Sequence, residues 1–242
     1  NGMGGLIVPA VFDGLPVSLD LMYGELDGTF PNHPADPIQP ANQVDLRARV
    51  LEVGADVGLA FDGDADRVFL VDEKAEPLSG STTTAIVAAA MLDREPGGTI
   101  LHNLICSKAV AEVVRERGGT PIRTRVGHSL IKKVMAETGA VFGGEHSGHY
   151  YYRDNFRADS GIITALVILD QMSRTGRPLS ELRVYESEFE TVSQRLEEDR
   201  LRNGFMRVRA GELRDLSLRF ATERAMLLDG RQARIQRQHV GR

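Results

Sequence analysis

The chain has 242 residues, of which 42% are hydrophobic and 26% charged, and its net charge is −5. This composition is sufficient for one large domain or two small ones with real cores, and it excludes a disordered chain or a polybasic nucleic-acid surface. With Cys106 as its one cysteine, the chain cannot form an internal disulfide, and no apolar stretch reaches membrane-spanning length. We therefore expect a cytoplasmic protein with neither a nucleic-acid nor a membrane partner.

The first residues indicate a piece of a longer protein. The chain starts at Asn1 without an initiator methionine and enters at once a glycine-rich turn at residues 2–5, which an apolar run follows. Native chains usually begin with a dispensable segment, so we expect this sequence to be a fragment.

The next residues predict short elements around an acidic loop. Apolar and polar residues alternate over 17–21, which predicts a half-buried strand, and four prolines over 31–40 predict an extended surface loop. Apolar residues recur at helical spacing over 46–53, before a glycine that can cap a helix. The β-rich apolar runs 57–61 and 68–71 predict two strands.

From Ser79 onward, helices and strands are expected to alternate, which is typical of an α/β fold with a mostly parallel sheet. Ser81 and Ser107 are the expected N-caps of the first two helices. We expect helices over 81–92, 107–118, 130–139 and 161–172, and strands over 99–104, near 122, and over 140–142 and 150–152. The aromatic run 150–152 is expected to pack on both faces of its strand.

The change of pattern near residue 76 predicts a domain boundary. Residues 1–76 would form part of a first α/β domain and residues 77–188 a second one. After about Tyr185 the sequence is dense in charge. Its last residues have no apolar face at either helical or strand spacing. We expect residues 189–242 to be a truncated, divergent or disordered remnant.

The acidic loop between the two short strands predicts a metal site. Asp62, Asp64 and Asp66 alternate with Gly63 and Ala65, so a turning backbone can point all three carboxylates into one small volume. Hard oxygen ligands at this density suit Mg²⁺ or Ca²⁺. The alternative is a solvated turn, which would need one or two aspartates and hardly three.

A calcium-binding EF-hand is the competing metal site. Acidic residues fall at its first, third, fifth and twelfth positions when counting starts at Asp62 and ends at Glu73. Arg67, however, occupies the sixth position, where that loop needs glycine, and the flanking segments are strand-like instead of helical. These two differences exclude the EF-hand.

The run Asp-Gly-Asp-Ala-Asp-Arg, preceded by residues 58–61, resembles the metal loop of the α-D-phosphohexomutases, the phosphomannomutase/phosphoglucomutase family. The resemblance implies that Asp62, Asp64 and Asp66 hold Mg²⁺ and that Arg67 is a catalytic residue that reaches the reacting phosphate. A cation and a guanidinium would together offset the charge of a transferring phosphoryl group.

Two further loops resemble segments of this family. Residues 125–133 resemble its Gly-His-Ser segment, in which Ser129 can cap the following helix, and residues 143–149 resemble its Gly-Glu-x-Ser-Gly-His loop, which binds sugar hydroxyls. Residues 2–5 and 26–33 also match, so the resemblance covers residues 1 to about 180. It implies the following substrate-binding residues: Arg125, Gly127, His128, Ser129, Glu145, Ser147 and His149.

A zinc site formed by Glu145, His146 and His149 is a weaker alternative. Two histidines three residues apart on a glycine-rich loop, and not on a helix, give poor geometry for zinc. We therefore favour sugar binding at this loop.

The resemblance implies two mixed-sheet α/β domains of the phosphohexomutase type, in part or whole, and an isomerase that moves phosphate between O1 and O6 of mannose or glucose phosphate through a phosphoserine. The family's phosphoserine and phosphate-gripping motifs match no residue here, and Ile105 stands where many relatives carry lysine, with Lys108 nearby. We therefore expect this segment alone to be inactive. The sequence leaves mannose versus glucose open. The alternative function is a non-catalytic α/β binding module that a metal stabilises.

Overall fold

A computed structural model describes residues 1–183, so the predictions for residues 184–242 lie outside the described residues. Its helices and strands alternate through most of this length. In chain order they are α1 (Gly4–Phe12), a 3₁₀ turn (Pro40–Gln43), α2 (Val44–Val53), β1 (Val57–Phe61), β2 (Val68–Asp72), α3 (Gly80–Arg94), β3 (Thr99–Asn103), α4 (Lys108–Glu116), β4 (Thr120–Thr124), α5 (His128–Thr138), β5 (Phe142–Gly144), β6 (Tyr150–Tyr152), α6 (Gly161–Thr175) and α7 (Leu179–Leu182).

The strands form one hairpin and one mixed sheet. Strands β1 and β2 pair antiparallel on either side of the acidic loop. The larger sheet has the order β4-β3-β5-β6, in which β3 runs parallel to β4 and β5, and β6 runs antiparallel to β5. Helices connect the parallel strands, as such crossovers require. The mixed-sheet α/β fold class is thereby confirmed.

The main core lies around α3, which is buried along nearly its whole length because α4, α6 and β5 pack against it. Leu70 of β2 joins Ile86 of α3, Ile100 of β3 and Phe142 of β5 in one apolar cluster. Apolar side chains on both sides of residue 76 therefore share this core. The domain boundary at that position stays a prediction.

The strand predicted over residues 17–21 is wrong. The segment runs without any strand pairing to the described residues, and Val17, Leu19 and Leu21 are 40%, 42% and 45% exposed. Asp20 accepts hydrogen bonds from Arg49 of α2 at 2.8 and 3.1 Å. The alternating pattern indicates which residues could share a face, but a strand also needs a neighbour for its backbone groups.

Helix α1 was not predicted, because its residues were interpreted as a glycine-rich turn before an apolar run. Pro9 lies inside this helix, where its missing N–H removes one backbone hydrogen bond. The helix packs Val8 and Phe12 against Ile162 and Ala165 of α6. Burial of this apolar face offsets the poor helix propensity of its glycines and proline.

The predicted helix caps were partly wrong. Ser107 caps α4 as expected, since its Oγ accepts from the Ala109 N–H at 3.3 Å. Ser79 caps α3 in place of Ser81, and α5 follows Gly127 without a side-chain cap, so Ser129 has no capping role. Strand β5 also starts two residues later than predicted. The three tyrosines of β6 are buried, as predicted.

Candidate functional site

The acidic loop gathers its three aspartates. One carboxylate oxygen each from Asp62, Asp64 and Asp66 lies within 4.8 Å of the others. Asp62 is buried, Asp66 is half-buried and Asp64 is exposed, so the cluster opens to solvent on one side. Ala65 has φ of +63°, a left-handed conformation that closes the turn between β1 and β2. The geometry brings together the three predicted metal ligands.

A divalent cation fits this cluster. Asp66 Oδ1 is buried and has no hydrogen-bond partner among the described residues. Burial, and then the charge of Asp62, raise the pKa of Asp66 above its ordinary value. A buried acceptor without a donor is costly, and a bound cation would remove that cost. The donor set consists of oxygens only, which suits a hard divalent ion.

Arg67 is tied to the base of the loop. Its Nε donates to Asp62 Oδ2 at 2.7 Å, and its backbone N–H donates to Asp62 Oδ1 at 3.1 Å. A second, longer contact of 3.4 Å joins its Nη1 to Asp36 Oδ1. The guanidinium therefore lies directly beside the predicted ligands, oriented by two carboxylates.

The predicted sugar-binding segment, residues 143–149, ends strand β5 and continues as a loop over residues 145–149, which lies against the acidic loop. Arg67 and His149 form a single antiparallel backbone bridge, and the Val68 N–H donates to the Gly148 carbonyl at 3.3 Å. Backbone contacts of Arg67, which ends the acidic loop, and of Val68, which begins β2, thus join the β1–β2 hairpin to this loop. Two motifs about 80 positions apart in the sequence meet at one place.

Glu145 joins the two predicted sugar-binding segments. It is only 2% exposed, and its Oε1 accepts from Asn103 Nδ2 at 3.2 Å and from the Gly127 N–H at 3.4 Å. Its Oε2 accepts from the Tyr151 hydroxyl at 3.0 Å. The carboxylate therefore holds the Gly127 turn next to the 145–149 loop. Its contact with a sugar stays a prediction.

The other predicted substrate residues lie at the edge of the same region. Ser147 is half-buried on the sugar loop, whereas Arg125 and Ser129 are exposed on either side of Gly127. Gly127 has φ of +131°, a conformation that favours glycine before α5. His128 is described only by its backbone, as the first residue of α5.

Sequence reasoning missed two residues beside His149. Asp159 Oδ2 lies 2.9 Å from His149 Nδ1, and Lys132 Nζ lies 3.3 Å from Asp159 Oδ1. Although burial alone would raise the pKa of Asp159, the hydrogen bond from His149 and the nearby Lys132 lower it to about 2. No motif marks Asp159, because its partners lie ten and 27 positions away.

The zinc alternative is not supported in the described part of the chain. Glu145, His146 and His149 do not gather into a common ligand cluster, and His146 Nδ1 lies 3.0 Å from Ser81 Oγ instead. A different group forms, in which ligand atoms of Asp66, His149 and Asp159 lie within 4.8 Å of one another.

The position at which the family resemblance implies a lysine carries no such charge in this chain. Ile105 is 62% exposed and apolar, and Lys108, three residues on, is exposed at the start of α4. The guanidinium of Arg123 on β4 donates to the Leu104 carbonyl at 3.0 Å, so a cation lies one residue away from Ile105.

Two family descriptions match successive parts of the chain. Residues 1–76 match the phosphoglucomutase/phosphomannomutase alpha/beta/alpha domain II, and residues 79–188 match domain III of the same family. A phosphomannomutase/phosphoglucomutase of Pseudomonas aeruginosa is 39% identical over 178 residues, which is 73% of this chain and 38% of that protein. A phosphomannomutase of Escherichia coli is 38% identical over 187 residues, 75% of this chain and 41% of that protein.

Solved structures show the same similarity. A phosphoglucomutase/phosphomannomutase family protein of Burkholderia thailandensis matches with a TM-score of 0.73 at 34% identity, over 77% of this chain and 41% of that one. A protein of Thermus thermophilus described as a phosphomannomutase has a TM-score of 0.71 at 23% identity, over 75% of this chain and 42% of its own, and this similarity concerns the fold alone. The chain thus spans about two fifths of these relatives.

Proposed function

Because the chain belongs to the phosphoglucomutase/phosphomannomutase family, we propose that it is the metal- and sugar-binding part of a hexose phosphate mutase. The proposed reaction moves phosphate between O1 and O6 of mannose or glucose by way of an enzyme phosphoserine and Mg²⁺. No residue of this chain matches the family's phosphoserine motif, so the proposal for the chain itself covers the binding of the metal and the sugar phosphate.

One observation carries the proposal: the contact between the acidic loop and the 145–149 loop. Arg67, which precedes β2, and Val68, its first residue, hold these two loops together through backbone contacts with His149 and Gly148. A scaffold that used the metal only to hold its strands together would not need a polar sugar-type loop at this place. The juxtaposition therefore favours a mutase over the non-catalytic module.

Asp62, Asp64 and Asp66 would hold Mg²⁺ in this proposal. When bound, the cation supplies positive charge that offsets the negative charge of a transferring phosphoryl group. Arg67 adds a guanidinium beside the same loop, and its contacts with Asp62 and Asp36 fix its direction. Arginine suits this role because its planar fork can contact two phosphate oxygens at once.

The sugar phosphate would lie between the 145–149 loop and the start of α5. Ser147 and His149 would contact hydroxyls, and Arg125, His128 and Ser129 would line the approach. The first N–H groups of α5 have no acceptor within the helix, which favours an anion nearby. Glu145, which is already bound by protein donors, would act first by holding Gly127 in place.

We also propose a cytoplasmic location, which rests on the single, buried Cys106. Among residues 1–183, no helix has the length and apolar character needed to cross a bilayer.

Hexose phosphate binding tests the proposal. We expect the 242-residue chain, saturated with Mg²⁺, to bind mannose 1-phosphate or glucose 1-phosphate in a calorimetric or NMR titration. Ser147→Ala should weaken binding about two- to thirteenfold, the effect of a lost hydrogen bond of about 0.5–1.5 kcal/mol. Ser173→Ala, at an exposed serine of α6, is the matched control. A folded, metal-loaded chain that binds neither sugar phosphate would contradict the proposal.

A further inference from the structure

The hydrogen on the His149 ring has one preferred place. Its Nδ1 faces two carboxylates, Asp159 Oδ2 at 2.9 Å and Asp66 Oδ1 at 3.5 Å. An ionised carboxylate can only accept a hydrogen bond, so the nitrogen that faces it must be the donor. In the neutral imidazole one nitrogen carries the hydrogen and the other accepts. The contacts therefore favour the tautomer that is protonated at Nδ1.

Asp159 is itself held in place by groups from other elements. Its side chain is 7% exposed, and Lys132 of α5 lies 3.3 Å from the oxygen that does not face His149. The same ammonium lies 5.7 Å from the ring centre of Tyr151 on β6, and the backbones of Tyr151 and Asp159 form a bridge. The ammonium favours the ionised form of Asp159, and this form can only accept the hydrogen bond that it shares with His149 Nδ1.

The ring of His149 has little freedom to turn away. Its side chain is 13% exposed, its ring centre lies 6.4 Å from that of Tyr151 at an interplanar angle of 30°, and its backbone is bridged to Arg67. Rotation of the ring would break its hydrogen bond to Asp159. The buried Asp159 carboxylate would then lose one hydrogen-bond donor, which is costly.

We propose that Asp159, supported by Lys132, is a positioning residue that keeps the hydrogen of the neutral His149 ring on Nδ1, so that Nε2 of the neutral ring can meet a ligand only as an acceptor. A sugar hydroxyl can donate a hydrogen bond to such an acceptor, whereas an unprotonated phosphate oxygen has no hydrogen to donate. The inference rests on the proposed function in one respect, namely that the ligand at His149 is a hexose phosphate.

The tautomer can be measured directly by ¹⁵N NMR of the histidine rings in the metal-free 242-residue chain. The signals of His149 are assigned as those missing from His149→Gln. At a pH high enough that the chemical shifts of these signals no longer change, the ring is neutral, and we expect a protonated Nδ1 and an unprotonated Nε2. Protonation at Nε2 in the wild-type chain would overturn the proposal, regardless of whether the chain binds a sugar phosphate.

Two pairs of variants test the role of the neighbours. Asp159→Asn should lower the ratio of the Nδ1–H to the Nε2–H form at least tenfold, whereas Asp154→Asn, at a side chain that is 82% exposed, should leave it unchanged. Lys132→Gln should lower this ratio less than Asp159→Asn does. Lys133→Gln, at a side chain that is 72% exposed, should leave the ratio unchanged. An unchanged ratio in both Asp159→Asn and Lys132→Gln would overturn the positioning role.

Addition of mannose 1-phosphate or glucose 1-phosphate with Mg²⁺ separates this inference from the proposed function. We expect the Nε2 signal to shift in the direction of a nitrogen that accepts a hydrogen bond. If the chain binds a sugar phosphate and Nε2 does not respond, the acceptor role of His149 is overturned. If the tautomer is as expected and no sugar phosphate binds, the proposed function fails while the role of Asp159 stands.

Discussion

At the residue scale, the sequence predicted which three carboxylates lie together in the acidic loop but not the groups around them. Three carboxylates on alternate residues have few uses other than binding a cation, so Asp62, Asp64 and Asp66 could be proposed as metal ligands from their spacing alone. Asp159 could not, because it stands alone in the sequence and reaches His149 only through the fold. Spacing carries information about neighbours in the chain, whereas a contact between distant residues has no local pattern.

His102 predicts a pH dependence of stability. Its side chain lies on β3, where the residue is 6% exposed, and burial lowers its pKa below the ordinary value of about 6.5. As the pH falls through this value, the unfolded chain takes up a proton that the folded chain resists, so stability is lost toward acid. We expect the free energy of unfolding to fall less between about pH 7 and pH 5 in His102→Gln than in the wild type. Equal losses in urea titrations of the two proteins would contradict this assignment.

At the element scale, the site depends on helices that begin directly against its loops. Gly161, the first residue of α6, lies so close to the acidic loop that a Cβ atom there would be 2.6 Å from the Arg67 carbonyl and 3.0 Å from that of Ala65. At the N-terminus of the chain, the Met3 N–H donates to the Gly63 carbonyl at 2.9 Å. The loop is therefore held by its backbone from two sides.

Gly161→Ala should disturb the metal loop as well as the fold. The added methyl group would push against two backbone carbonyls, and overpacking of this kind costs about 1–3 kcal/mol. We expect a lower free energy of unfolding and weaker Mg²⁺ binding by the fraction that remains folded. Gly28→Ala, at a position where a Cβ atom would meet nothing within 4 Å, is the matched control. Metal affinity that is equal in both variants would show that α6 does not support the loop.

The wrong strand and the missed helix have related causes. The 17–21 segment has a clear period of two, yet the described residues offer it no strand to pair with. Helix α1 has glycines and Pro9, which argue against a helix, yet packing against α6 stabilises it. In both cases tertiary context outweighed the local pattern. Strands β1 and β2, which have local and tertiary support, agree with the predicted bounds to within one residue, and α2 starts two residues before the predicted helical pattern.

At the scale of the whole described unit, one core extends across the predicted boundary near residue 76. Leu70 of β2 is fully buried with residues of α3, β3 and β5. Two residues from the end of the described unit also contact residues before the boundary. Arg183, after α7, donates to Asp72 at 2.9 Å, and Ser180 of α7 donates to Glu73. These contacts tie the last helix of the described unit to the hairpin that carries the acidic loop.

This shared core predicts that damage to β2 weakens residues on both sides of the boundary. Leu70→Ala should lower the free energy of unfolding by about 2–5 kcal/mol and reduce amide exchange protection in α3 and α6 as well as in β1. Leu51→Ala, at a side chain of α2 that is 62% exposed, should have little effect. Loss of protection confined to residues before 76 would indicate two independent units.

The fold class and the order of elements after residue 79 were predictable because helical and strand periods alternate there with clear glycine stops. Strand pairing was not, since the antiparallel addition of β6 to β5 and the bridge from Arg67 to His149 depend on the three-dimensional arrangement. The proposed function rests on that same bridge. The acidic loop and the 145–149 loop are each ambiguous alone, and their contact favours the proposed mutase over the alternative.

Mg²⁺ titration of the 242-residue chain and of one pair of variants shows whether the acidic loop is a cation site. Asp64 is the exposed member of the cluster, so Asp64→Asn should spare the fold while it removes a ligand charge. Asp56→Asn, at an exposed aspartate just before β1, is the matched control. We expect one Mg²⁺ site in the wild type and in Asp56→Asn, and an affinity at least about tenfold weaker, or about 1.4 kcal/mol, in Asp64→Asn. Equal Mg²⁺ affinity in all three proteins, or no binding by the folded wild type, would contradict this expectation.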